Sequence, residues 1–308
     1  MGLTLAALAD AMPGAVAQGL IWSIMAIGVY ITYKVLDIAD LTVDGSLCTG
    51  GAVCLMMIVN GHDVWVALIG ATLAGGACGL VTGLLHTVMG IPALLAGILT
   101  QISLYSINLK ILGQSNRGLM AIAYDLPVTS REVNDALIFL AITAVLIIVF
   151  LYWFFGTERG CSLRATGCNE NMAKAQGINT NVNKVIGLAI SNALVGLSGA
   201  LLTQYQGFAD INMGRGAIVV GLAAVIIGEA LFGRLFKNFA LHLLSVVIGS
   251  VFYYIVLQTV IWLEFDPDLL KVLQAGVVAV FLAFPYWKGK YFKKIKTSKK
   301  GGVTNAGN

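Results

Sequence analysis

About nine stretches of this 308-residue chain are apolar for long enough to be measured against a bilayer: 14–34, 46–60, 64–88, 91–113, 134–155, 184–206, 216–232, 238–262 and 270–287. A hydrocarbon core about 30 Å thick takes roughly 20 helical residues to cross. Helix is the expected form, because lipid offers no partner to a free backbone N–H or C=O. Only 11% of the residues are charged and 58% are hydrophobic, more apolar surface than a soluble fold of this length could bury. The expected fold is all-α, a polytopic membrane helix bundle of about nine spans.

The runs at 46–60 and 216–232 are shorter than the rest, carry glycine, and each follows a polar kink. They read as broken or re-entrant helices, which lipid tolerates where the freed backbone faces protein or a watery cavity. Before the first comes LDIADLTVDGS, residues 36–46, with Asp37, Asp40 and Asp44; before the second comes GFADINMGRG, residues 207–216. Ala39-Asp40-Leu41 is thus echoed by Ala209-Asp210-Ile211, and the span count sets the two halves running in opposite directions. That is the trace of an inverted repeat, whose interface holds the central pathway in many transporters. An ionised Asp within a membrane is expensive unless it is paired, hydrated or protonated. Asp40 and Asp210 therefore either cap a helix start or contact a solute in a cavity. A third reading, a carboxylate pair acting on a shared water, is disfavoured because the repeats face opposite ways.

Orientation follows from the basic residues. The stretch from Gly156 to Lys184 holds Arg159, Arg164, Lys174 and Lys184, and the segment from Lys288 to Lys300 holds seven lysines. Both are expected on the cytoplasmic side, which the even number of spans between them permits. The C-terminus then lies inside, while the N-terminus and residues 113–134 lie outside. The formal charge of +4 resides in the 288–308 tail, so no basic face remains for nucleic acid. The tail either fixes topology or meets anionic lipid. No cleavable signal is expected, since Asp10 precedes the first long run and no basic residue opens the chain.

Gly75, Gly79 and Gly83 recur every fourth residue, a smooth stripe for close helix approach. Gln101, Ser103, Ser106, Asn108, Asn192, Gln204 and Gln206 are expected to face the interior or bond between helices, and Lys110 and Glu229 to snorkel or pair at span ends. Cys48, Cys54 and Cys78 read as small buried hydrophobes. Cys161 and Cys168 share a polar loop without a histidine, and His62, His86 and His242 are interfacial and too scattered to hold a metal. No nucleophile elbow, HExxH or phosphate loop is present; GEALFGRL at 228–235 lacks the Lys-Ser/Thr pair. The chain is expected to be no enzyme and to need no cofactor, so any ATP is bound by another chain.

Residues Ser162 to Gln176 suit a short helix stopped by Gly177 and Asn179, with Leu163, Ala165, Met172, Ala173 and Ala175 fit to lie in another protein's groove. Through Gly160, Arg164, Ala165, Gly167, Asn169, Ala173 and Gly177-Ile178-Asn179, this loop resembles the coupling loop of ABC importer permeases of the branched-chain amino acid and simple-sugar family. ADLTVDGS at 39–46 and GFADINMGRG with GLAAVIIGEALFG at 207–233 look like that family's two acidic-glycine signatures, although sugar permeases read more like IDLSVG at the first. IPALLAGILTQISLYSINLKILGQSN at 91–116 is similar to a branch assigned to tryptophan and tyrosine uptake. No residue here spells an aromatic pocket.

The resemblance implies a single permease domain over 1–308, of the inverted-repeat type II importer kind, in a bacterial cell membrane. It implies a second copy as homodimer partner, or a related permease in its place, an ATP-binding subunit at the cytoplasmic 156–183 loop, and an external or periplasmic solute-binding protein. The solute is expected to be an amino acid, aromatic in the similar branch, with a simple sugar or nucleoside as alternative and ion-coupled secondary transport as the rival mechanism. Carried over to this sequence, the ATPase contacts are Gly160, Leu163, Arg164, Ala165, Gly167, Asn169, Ala173 and Gly177. Asp40, Thr42, Asp44, Asp210 and Asn212 are expected beside the path.

Overall fold

Each of the first eight apolar runs forms a helix, and Gly113 and Gly207, at φ 74° and 76°, each close one of them. The computed structural model describes residues 5–119, 126–233, 238–263, 272, 274–280 and 283. Helix α1 (Leu5–Tyr30) runs into a π-helical turn, Ile31–Val35, and is followed by α2 (Thr42–Val59), α3 (Val64–Thr87), α4 (Ala93–Leu112), strand β1 (Asn116–Gly118) and α5 (Val133–Gly156). Next come α6 (Glu158–Cys168), α7 (Glu170–Ala175), α8 (Thr180–Gln206), strand β2 (Phe208–Asp210), α9 (Ala217–Phe232) and α10 (Phe239–Trp262). Among the described residues seven helices are long and apolar enough to cross a membrane, while α9, with 16 residues, is short. The span expected at 270–287 lies mostly outside the described residues, of which 274–280 are helical.

The inverted repeat is visible in the packing. Ser191, Ser198 and Tyr205 of α8 donate to the carbonyls of Gly28, Ile21 and Gly14 of α1, at 2.7, 2.8 and 3.5 Å. Rising numbers on one helix meet falling numbers on the other, so α1 and α8 are antiparallel. Around them the main helix contacts match across the two halves: α1 packs on α10 as α8 packs on α3, α2 on α3 as α9 on α10, and α2 on α8 as α9 on α1. The directions match too. Ser46 pairs with Asn192 and Cys54 with Gln204, so α2 runs parallel to α8. Gly221 lies against Met25 and Val29 while Glu229 meets Lys34, so α9 runs parallel to α1.

The glycine stripe holds α3 to α8, since a Cβ at Gly79 would strike the Leu188 carbonyl and one at Gly83 would come within 2.9 Å of the Val185 Cα. Such approach replaces the hydrophobic drive that lipid does not supply between helices. At one end of the bundle β1 and β2 pair antiparallel, Asn116 opposite Asp210; at the other, α6 and α7 lie across the helix ends.

Two boundaries depart from the sequence reading. Helix α2 begins at Thr42 rather than 46, which puts Asp44 in its first turn, where an acid is favoured by the helix dipole. The expected 162–176 helix is two helices broken at Asn169, whose Oδ1 accepts the Met172 N–H at 3.0 Å and starts α7 afresh.

Candidate functional site

The chain leaves α1 through Asp37, a non-glycine residue at φ 55°, and turns back into the bundle. Leu36 packs on Gly187, and Asp40 reaches Asn192 farther along α8. From Thr180 to Asn192 a helix rises about 18 Å, near the middle of a hydrocarbon core. Asp40 is only 2% exposed; its Oδ1 accepts the Thr42 N–H at 2.9 Å and its Oδ2 the Asn192 Nδ2–H at 2.7 Å. Ser46 completes the cluster by donating to Asn192 Oδ1. Behind it the hydroxyls of Thr42, Thr82 and Thr100 form a chain at 2.7 and 2.9 Å, joining α2, α3 and α4. The first Asp therefore caps a helix and ties it to its neighbours.

Asp210 makes the same local turn, its Oδ1 accepting the Asn212 N–H at 2.6 Å. Here the helix does not start at once. Residues 211–216 loop back toward α2, where Cys48 Sγ accepts the Gly214 N–H at 3.2 Å and donates to the Ile211 carbonyl at 3.3 Å. Gly216, at φ 84°, then turns the chain into α9. The cap of α9 comes from the other repeat: Asp44 accepts the N–H groups of Gly216 and Ile218 at 3.1 and 3.0 Å. Sequence spacing could not show this, because the acid and the amides it satisfies lie 172 and 174 positions apart.

Beside this junction lies a cleft of about 370 Å³ whose lining includes Asp44, Gln101, Tyr105, Ser106, Asn108 and Arg215. Thus Asp44 faces it, while Asp40 and Thr42 are sealed behind. Asn108 is buried; its Nδ2–H points to the Gly45 carbonyl at 3.4 Å and its Oδ1 has no partner among the described residues. Gln101, Ser106 and Asn108 stood out in sequence as polar residues in an apolar run. Tyr105 and Arg215 did not, although a cation between two glycines at the head of a span is a usable signal.

The α6–α7 segment is bound to the bundle through the very residues expected to meet a partner. Leu163 is fully buried and Ala173 nearly so. Gly160 packs on Phe154 and Phe155, and Gly167 packs on the Val35 carbonyl with no room for a Cβ. Arg164 turns inward, donating to the Phe155 carbonyl at 2.6 Å with its guanidinium 5.8 Å from the Phe239 ring centre. Ala165 is half-buried; Asn169 and Gly177 are exposed, as are Met172 and Ala175. The expectation that Leu163 and Ala173 lie in another protein's groove is thus corrected, since burying them at home is what fixes the segment. Asn183 of α8 donates to Ser162 and Thr166 at 2.7 and 2.9 Å, and Glu170 pairs with Lys174 and Lys184 at 2.9 Å each. At the same end Lys34 meets Glu229 at 3.0 Å, one of the pairings expected for a span-end acid.

The comparisons with known proteins agree with this architecture. Over 86% of its length the chain is 41% identical to the tyrosine transport system permease protein of Clostridioides difficile, covering 88% of that protein. It is 27% identical over 69% of its length to the D-allose transport system permease protein AlsC of Escherichia coli, covering 65% of it. Among solved structures, PsaBC from Streptococcus pneumoniae in complex with Fab shares the fold, with a TM-score of 0.55 at 16% identity over 94% of this chain and 99% of that one. Residues 12–282 match the family described as branched-chain amino acid transport system, permease component. With its inverted halves and its second helix start capped from the first repeat, the chain belongs to that family of membrane permeases.

Proposed function

We propose that the chain is the membrane subunit of an ATP-driven importer of amino acids, aromatic ones among them, working in a bacterial cell membrane. A separate ATP-binding subunit docks at the α6–α7 face on the cytoplasmic side, an external binding protein delivers the solute, and a second copy of the chain completes the path. The observation that carries this is the rigid attachment of α6 and α7. A segment seated by Gly160 on Phe155, by Gly167 on Val35, by Asn183 on Ser162 and Thr166, and by Glu170 on Lys184 is tied to α5 and, beyond it, to α1 and α8. Those two helices form the seam of the repeat, so a push on exposed Met172 and Asn169 reaches the α2–α9 junction. Binding energy from outside can then bias two arrangements of the seam. The 41% identity to a tyrosine transport system permease protein supports an amino acid as the solute.

The test is uptake of labelled L-amino acids by proteoliposomes holding the permease, its ATP-binding subunit and its binding protein. ATP-dependent uptake is expected. Uptake driven by an ion gradient in the permease alone would replace this reading with secondary transport.

A further inference from the structure

The cleft beside α2, α4 and the 211–216 loop holds a charge arrangement that packing does not explain. Arg215 is exposed there and has no ion-pair partner among the described residues. An arginine facing lipid at this depth would be prohibitive, so this face borders water, another protein, or a ligand. Asp44 lines the same cleft, with two of its acceptor positions filled by α9 and others left over. Asn108, buried in the cleft wall, has an Oδ1 with no hydrogen-bond partner among the described residues, and such an atom costs free energy. The Tyr105 ring stands at the mouth. The volume of about 370 Å³ falls within the roughly 300–1,000 Å³ typical of small-molecule sites.

We propose that this cleft is a transit site for a zwitterionic amino acid, with Arg215 taking the α-carboxylate, Asp44 taking the α-ammonium, and Tyr105 covering the side chain. The inference rests on the permease reading and adds the solute's position and the groups that recognise it. A cation and an anion lining one cleft suit a molecule carrying both charges. A lone anion or cation would leave one protein charge unmatched, and a neutral sugar would leave both. The forked guanidinium fits a carboxylate in two parallel hydrogen bonds.

The experiment uses the complete transporter in lipid nanodiscs with Cys161 and Cys168 changed to serine and Ser106→Cys as reporter in the cleft. Alkylation of the new thiol is timed with a mixture of L-amino acids, with the corresponding amines that lack the carboxylate, and with D-allose. The mixture should slow alkylation about tenfold, the worth of a charged hydrogen-bonded pair, and the amines and D-allose should not. Arg215→Gln should abolish the protection, and Arg215→Lys should restore part of it, showing that the fold survives. The proposal is overturned if the mixture gives no protection, if amines protect equally, if only D-allose protects, or if Arg215→Gln is still protected. ATP-driven amino-acid uptake without protection would defeat the site and spare the importer; protection without ATP-driven uptake would do the reverse.

Discussion

Asp40 and Asp210 turn the backbone the same way, each accepting the amide two residues on, at 2.9 and 2.6 Å. Their surroundings differ. Asp40 leads straight into α2 and is pinned by Asn192 inside a closed cluster of side chains from α2 and α8. Asp210 leads into a loop, residues 211–216, that borrows its helix cap from Asp44 and borders an open cleft. One repeat has made its break a fastening, and the other has kept its break open. An inverted repeat thus conserves the turn while dividing the work.

The comparison can be broken most sharply at Asp40. Asp40→Ala leaves Asn192 without its partner in a buried cluster, and is expected to cost about 3 kcal/mol or more, read as a lowered melting midpoint of the purified permease in detergent. Asp44→Ala uncaps α9 and should cost about 1–2 kcal/mol, with hydrogen exchange rising first at Gly216 and Ile218. Asp210→Ala, which removes one local hydrogen bond, should cost no more than about 1 kcal/mol. Equal losses at Asp40 and Asp210 in the same melting assay would erase the distinction drawn here.

The smallest effect belongs to the α6–α7 segment. Hydrogen bonds from Lys184 and then Lys174 lower the Glu170 carboxyl from its usual 4.5 to about 2. A lowered folded pKa contributes stability above the unfolded value and loses it as pH falls, here from about 4.5 toward 2. With the carboxylate 36% exposed, screening holds the effect to about 0.5 kcal/mol. Limited proteolysis near Gly177 should accelerate over that interval in the wild type, and Glu170→Gln should make the rate independent of pH.

The spans and the repeat were legible in the sequence because lipid forces a length and a composition on each crossing. The echo of Ala39-Asp40-Leu41 at Ala209-Asp210-Ile211 located both breaks, and at each the Asp accepts the amide two residues on. What the sequence could not show depends on contacts between distant segments. Asp44 looked like part of a gap until α9 was seen to start on it. Leu163 and Ala173 looked like partner-facing positions because apolar residues in a polar loop read alike whether they are buried at home or in a neighbour. Asn169 looked like one more helical residue, though its carboxamide competes for backbone amides and so favours a cap.

The account depends most on the side of the membrane to which α6 and α7 belong. Cys161 and Cys168 are exposed there, whereas Cys48, Cys54 and Cys78 are buried, so the natural chain carries its own reporters. Membrane-impermeant maleimide should label Cys161 and Cys168 in inside-out vesicles and leave them unlabelled in intact cells. Labelling from the outside of intact cells would contradict the account.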